Sequence, residues 1–414
     1  MNTHRWKKLF ALIYTGQAFS LLGSAAVQFA VIWWLTVQTE SAITLTIASV
    51  VSFLPNILVG PFAGVWIDRY NRRTVMIAAD GLVALSSIVL GAAFLITPVP
   101  PVWFIYTVLF LRGVGNTFHA PAMQAAIPTF VPAEMLTKAG GWGNMIQSLS
   151  NMLGPVLGAA LTAVLPMAAI MPADILGAAF AIICLLFVRI PDIPRTGEKT
   201  KVWSDIKQGF AAMRANRPLR AVFFPILVMS VLYMPLGALF PLLVRSHFMG
   251  DAWHNGVVEF VFAAGLLLSS LTIGVWGGMK RRFLMASLAV GLMGLSTLIG
   301  GALPSGGFWI FTACSFCIGA SGTFMNVPIM AYVQESTPPE SMGKVFSLLM
   351  TAMTLAMPFG LLVAGPVSEA IGVNTWFFWS GAALLADAVF CRLMTRRYDG
   401  ETMRPEASPT RGPS

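Results

Sequence analysis

Gly60-Pro-Phe-Ala-Gly-Val-Trp-Ile-Asp-Arg-Tyr-Asn-Arg-Arg73 is the stretch that decides how the rest of the chain is read. An apolar run ends at Ile67, four charges follow at Asp68, Arg69, Arg72 and Arg73, and a second apolar run begins at Thr74. Two membrane helices joined in this way must turn tightly and keep those charges in water or against protein. Gly60 and Gly64 are spaced for a close-packing face on the first helix. Asn71 is expected in a left-handed turn position, which asparagine adopts at little cost. Asp68 is placed to meet a helix start or a neighbouring guanidinium.

Working outward, the composition is that of a polytopic membrane protein. Of 414 residues, 57% are hydrophobic and 10% charged, against about 25% charged in a typical soluble domain. With about 20 apolar residues needed per crossing, the chain divides into twelve segments. They are 9–37, 43–67, 74–96, 102–125, 141–164 and 168–189, then 219–244, 255–278, 283–303, 307–332, 344–370 and 374–395. Alternation puts both termini on one side, and every Lys and Arg except Arg112 and Arg245 falls on that side or at its helix ends. Positive-inside asymmetry makes that side cytoplasmic, and it accounts for the net charge of +9 without a nucleic-acid partner.

The expected fold class is all-α, twelve transmembrane helices in two pseudo-symmetric six-helix bundles. Residues 1–190 form the first bundle, 191–218 a polar cytoplasmic linker with a short amphipathic helix at 203–213, 219–398 the second bundle, and 399–414 a disordered tail. An internal repeat supports the halves. Val131-Pro-Ala-Glu-Met-Leu-Thr-Lys138 recurs as Thr337-Pro-Pro-Glu-Ser-Met-Gly-Lys344, and the first hairpin recurs in degraded form over Gly274–Arg282, with Gly278 in the place of Asp68. Duplicated units of this kind bind substrate between the halves near mid-membrane. The basic N-terminus resembles a signal peptide, but its apolar run reaches Val37, beyond the ~7–15 residues of a signal core. Cys184, Cys314, Cys317 and Cys391 lie in apolar runs and read as small packing residues rather than a redox or metal pair. No histidine cluster, nucleotide loop or nucleophile elbow is present, so neither an enzyme nor a resident metal or cofactor is expected. The histidines, His119 among them, read as interfacial.

The opening stretch resembles the signature hairpin of the major facilitator superfamily, Gly-x-x-x-Asp-Arg-x-Gly-Arg-Arg. Gly64, Asp68, Arg69, Arg72 and Arg73 match, and Asn71 stands where the pattern has Gly. Gly154-Pro155-Val-Leu-Gly158 is similar to the superfamily's antiporter motif, with Ser150 and Ala159 replacing its outer glycines. Leu111-Arg112-Gly-Val-Gly115 resembles a motif of the fourth helix in which an Arg is linked to proton movement. At a finer level, Phe118-His-Ala-Pro-Ala122, Leu136-Thr-Lys-Ala-Gly140, Gly343-Lys-Val-Phe-Ser347 and Ile371-Gly-Val-Asn374 are similar to bacterial macrolide-efflux proteins of that superfamily. The resemblance implies a monomer in a bacterial cell membrane exporting amphipathic, macrolide-like drugs by proton antiport, the two halves rocking about the substrate. The alternative is transport of another small molecule such as a siderophore or a metabolite. Asp68 and Arg72 would then latch the inner gate.

Five ionisable residues fall inside apolar runs: Asp80, Arg112, Asp174, Glu259 and Asp387. Each costs about 2.5–3.5 kcal/mol at a helix centre on insertion scales, so each should pair, line water or lie near an interface. Asp80, about six residues from the inner end of its helix, and Arg112, about ten from the outer end of the next, are expected to pair. Asp174 and Glu259 enter from the outer side, as proton carriers or as counter-charges for a cationic drug. For Glu259, a solvated helix start is the competing reading.

Overall fold

The computed structural model describes residues 5–188, 217–337 and 339–399, and every regular element in them is helical. The expected linker, its amphipathic stretch and the tail fall almost entirely outside these residues. Long apolar runs produce α1 (Arg5–Thr39), α4 (Arg72–Ile96), α5 (Val102–Phe130) and α6 (Leu136–Val164). The second part of the chain contributes α9 (Arg217–Leu242), α10 (Ala252–Trp276), α11 (Arg282–Ala302), α12 (Phe308–Ser336), α13 (Pro339–Ile371) and α14 (Val373–Thr395).

Two expected segments are broken. The second is α2 (Ala42–Leu58) followed by α3 (Gly60–Arg69), parted at Val59 because Pro61 starts a helix more readily than it continues one. The sixth is α7 (Met167–Ile170) followed by α8 (Pro172–Leu186), parted before Pro172 for the same reason. Gly60 therefore opens a helix instead of packing one closely; a Cβ there would meet only Asn56 Oδ1 at 3.1 Å and Thr117 Cγ2 at 4.0 Å.

The hairpin also turns differently from expectation. Asn71 is extended, with φ −61° and ψ 124°, and its Oδ1 accepts a hydrogen bond from Arg73 N at 2.9 Å. It caps α4, satisfying one of the N–H groups a helix start leaves without a partner. A left-handed Asn71 would forgo that bond. Arg73 then reaches across to the end of α8, donating from Nε to Leu185 O and from Nη2 to Leu186 O, both at 2.7 Å. A cation on the carbonyl end of a helix is electrostatically favourable.

Helix α1 lies along α6 and α8, α4 packs on α5 and α8, and α2 on α5. On the other side α11 lies between α12 and α14, α10 packs on α12, and α9 on α13 and α14. The two sides meet where α2 crosses α13 and α6 crosses α10. Bare backbone at Gly365 permits the first crossing: a Cβ there would sit 2.3 Å from Thr46 Oγ1.

That crossing lies at the end opposite the hairpin, and polar bonds reinforce it. Glu369 of α13 accepts from Ala42 N at 2.7 Å, Ser41 Oγ at 3.1 Å and Ile43 N at 3.3 Å, so one carboxylate sits on the amino end of α2. Arg245 Nε donates to Glu40 at 3.3 Å nearby. Phe29, Trp33, Ala159 and Ala252 close the same end with a buried apolar cluster.

Among the described residues, nine helices are long and apolar enough to cross a membrane. Three that fall outside that set, α2, α5 and α6, are shortened by a break or carry polar residues along one face. Those faces converge on a cavity.

Candidate functional site

The cavity has a volume of about 700 Å³ and is walled by helices from both sides of the molecule. One wall is polar. It presents Ser24 and Gln28 from α1, Ser49 and Ser52 from α2, Arg112, Asn116 and His119 from α5, and Gln147 and Asn151 from α6. The spacings 112, 116, 119 and 24, 28 are those of residues sharing one face of a helix. The other wall is mostly apolar, with Gly237, Ala238 and Pro241 of α9 and Met357 of α13; Glu259 of α10 is its acid.

Behind the polar wall lies a buried network. Asp174, in the first turn of α8, is fully enclosed and pairs with Arg112. It also accepts from Ser24 Oγ and Ser87 Oγ, each at 2.5 Å. Arg112 donates further from Nη1 to Ser87 Oγ at 2.6 Å and from Nη2 to Ser24 O at 3.3 Å. Position near a helix start, a permanent cation and two hydroxyls together offset the cost of burying this carboxylate.

The expected Asp80–Arg112 pair is thus absent. Asp80, 5% exposed, accepts from Gln17 Nε2 at 3.2 Å and Ser20 Oγ at 3.3 Å, both on α1. Its Oδ1 lies 3.6 Å from His119 Nε2. The reason is register between antiparallel neighbours. A Cβ on Gly115 would lie 3.0 Å from Ala79 O and 2.8 Å from Val83 Cγ2, so α4 and α5 cross closely at that level. Asp80 is then level with His119, and Ser87 with Arg112. The seven residues from 112 to 119 are two turns, about 10 Å along the axis.

Glu259 lines the cavity and accepts from Asn255 Nδ2 at 2.9 Å, one turn earlier on α10. It is not a solvated helix start. Asp387 is not brought to the cavity. It lies in the core of the second side among Ile226, Met229, Met325 and Cys391, 6% exposed, and its Oδ2 has no hydrogen-bond partner among the described residues.

The glycine-proline motif of α6 has a packing role on two fronts. A Cβ on Gly154 would meet Ala25 Cβ at 2.3 Å, and one on Gly158 would meet Ala26 O at 2.6 Å, so α6 rides directly on α1. Pro155 lines the cavity, and its carbonyl lies 3.3 Å from where a Cβ on Gly256 of α10 would be. In the hairpin, Arg72 is buried at the start of α4. Of Gly64, Asp68 and Arg69 the structure describes the helical backbone alone.

Sequence spacing alone places His119 among interfacial histidines and does not distinguish Glu369. The signal for the polar wall was present: Gln17, Ser20, Ser24 and Gln28 stand 3, 4 and 4 residues apart within an apolar run, a stripe down one face of α1. Among the described residues no group of three or more His, Cys, Asp or Glu side chains could hold a metal ion.

Comparison with known proteins agrees with this architecture. The chain is 38% identical to macrolide efflux protein A of Streptococcus pyogenes over 94% of its own length and 97% of that protein. It is 28% identical to the multidrug efflux pump Tap of Mycolicibacterium fortuitum, over 91% and 92% of the two chains. Solved structures share the fold at low identity. A bacterial homologue of ferroportin in an inward-facing state superposes with a TM-score of 0.69 at 16% identity, covering 95% of this chain and 99% of the other. A bacterial homologue of the lysosomal transporter Spinster, inward-facing and unoccupied, gives 0.69 at 12% identity over 96% and 97%. The model of the transmembrane secretion effector family matches residues 5–411, and with that match the chain belongs to this family of major facilitator transporters, multi-pass proteins of the membrane.

Proposed function

We propose that the protein exports amphipathic, macrolide-like drugs from the cell by proton antiport. The observation that carries this reading is the cavity. It is shared between the two sides of the molecule, with most of its polar groups on one wall, and among the described residues its lining holds one carboxylate, Glu259, on the other, mostly apolar wall. Such a site suits a large molecule with a hydroxylated face, an oily face and a basic nitrogen. The 38% identity to macrolide efflux protein A over nearly the whole of both chains supports the drug class.

In this reading the helices make twelve crossings in two six-helix halves, residues 1–190 and 219–398, with both termini cytoplasmic. The protein works as a monomer. Glu259 is the counter-charge for the drug's ammonium group. The seal of Glu369 on the start of α2 is the outer gate, closed while the cavity faces inward. The hairpin is the inner gate, with Asp68 and Arg72 as its latch. Phe62 and Trp66 of α3 and Tyr70 just beyond its end, each more than half exposed, supply an uncovered surface for that gate to close on. Alternating access follows from rocking one half against the other, as in repeat-built transporters generally.

Accumulation of a labelled macrolide in cells with and without the protein tests the reading, with a protonophore added in a second series. Lower accumulation that the protonophore reverses is the expected result. Equal accumulation in all series would reject macrolides as cargo. Lower accumulation insensitive to the protonophore would reject the proton drive.

A further inference from the structure

We propose that His119 and Asp80 form the proton-binding site of this transporter, His119 taking the proton from the cavity, while Arg112 and Asp174 are a fixed charge pair. The inference rests on the efflux reading above and assigns its energy source to particular atoms.

The two buried carboxylates of the first side differ in what holds them. Asp174 has 0% exposure, a guanidinium, and two hydroxyl donors. Its cation partner does not release a proton in proteins. A carboxylate held in that way is fixed in place by a permanent cation. Asp80 has only neutral donors, Gln17 and Ser20, and its neighbouring base is an imidazole. Histidine is the side chain whose charge changes near neutrality.

Arg112 and His119 both line the cavity, but Asp174 behind Arg112 is fully enclosed. His119 lines the cavity with a side chain 13% exposed. Its Nε2 is enclosed and has no hydrogen-bond partner among the described residues, although Asp80 Oδ1 stands 3.6 Å away. That distance is too long for a hydrogen bond and short enough to become one after a small rotation. The groups facing Asp80 are Gln17 and Ser20 from α1 and His119 from α5; the next charges are Asp174 of α8 and the Arg112 paired with it.

The step is a simple proton transfer. A hydronium ion reaching the cavity gives its proton to the His119 imidazole, whose Nε2 is itself enclosed and faces Asp80; a new N–H bond forms, and a water molecule remains. The imidazolium N–H then donates to Asp80 Oδ1, converting a contact into a charge-assisted hydrogen bond. Release to water on the other side of the membrane breaks the same N–H bond. The close crossing at Gly115, which brings Asp80 and His119 level, is the structural condition for this exchange.

Two measurements test the assignment. In inside-out vesicles with an acidified lumen, His119→Gln should lose pH-gradient-driven uptake of radiolabelled erythromycin. It should retain counterflow exchange of the same drug without a gradient, which also reports that it is folded. Gradient-driven uptake at the wild-type rate in His119→Gln would overturn the proposal. Separately, purified protein without drug is titrated between pH 5 and 8 with an indicator dye, and His119→Gln should bind about one proton fewer per chain. An unchanged proton count would overturn the proposal whether or not any drug is carried. Absence of both uptake and exchange in the wild type would instead reject the macrolide reading, with the proton count still deciding the site.

Discussion

The two sides of this molecule bury charge in opposite ways. In the first, Asp80, Arg112, His119 and Asp174 sit deep among α1, α4, α5 and α8, held by serine and glutamine donors. In the second, the interior is a set of interlocking rings. Phe240 meets Phe262, Phe311 and Phe377 with centroids 5.7–5.9 Å apart, and Phe248 stacks on Phe311 at 5.1 Å. Its charges stand at helix ends instead. Asp251 bonds His254, Arg282 grips Glu335 at 2.6 and 2.7 Å, and Arg392 pairs with Asp399. The first side gathers its buried charges into one network, and the second mostly packs. Glu259 at the cavity and Asp387 in the core are the exceptions on the packing side.

The largest test of that contrast is Arg112→Ala. It strands the Asp174 carboxylate in a site with no water access, and breaking a buried pair in this way costs about 3–5 kcal/mol. Thermal unfolding of the purified variant should show the loss. Replacing both partners together, Arg112→Met with Asp174→Leu, should recover much of the stability while efflux stays absent. A single variant as stable as wild type would mean that the first side does not depend on its charges.

A smaller effect is expected from Asp251→Ala at the start of α10. Asp251 caps that helix by accepting from His254 N at 3.1 Å, and a lost cap costs about 1 kcal/mol. The hydrogen bond from the His254 side chain holds the Asp251 carboxyl below its ordinary value. Its contribution is therefore complete above the unfolded value of about 3.9. It is lost as pH falls through the lower folded value. The stability gap between wild type and variant should be constant near neutrality and close under acid conditions.

Asp387→Leu should have the smallest effect. The carboxyl has no hydrogen-bond partner at Oδ2 and lies among apolar side chains, so an apolar replacement of similar size should be nearly neutral or stabilising. Efflux should persist. A transport-dead Asp387→Leu would break the comparison, because the packed core of the second side, away from Glu259 and the cavity, would then carry essential chemistry of its own.

Much of this was legible from residue pattern, and the misses share a cause. Apolar run length located the helices, and the charges of 68–73 located the first hairpin. Depth along a helix was legible too, since it needs only counting. Register between neighbours was not. Asp80 and Arg112 looked level when each was counted from its own membrane edge, yet the crossing at Gly115 offsets them by two turns and gives Asp80 to His119. Asn71 was missed for a local reason: the same side chain can cap a helix or turn left-handed, and the N–H of Arg73 decided between them. Glu369 bonds backbone N–H groups more than 300 residues away in the chain, a pairing that no spacing within the sequence encodes.

The unequal walls of the cavity have a consequence for how such a protein can change. In the proposed reading, cargo fit on the α9 and α13 wall is set by Gly237, Ala238, Pro241 and Met357, residues without charge and without bonds to the buried network. Substitutions there would reshape the space offered to a drug and leave the proposed proton site of Asp80 on α4 and His119 on α5 untouched. Selection by a new antibiotic could then act on one wall alone. The range of compounds expelled would be free to drift while the proton machinery is inherited intact.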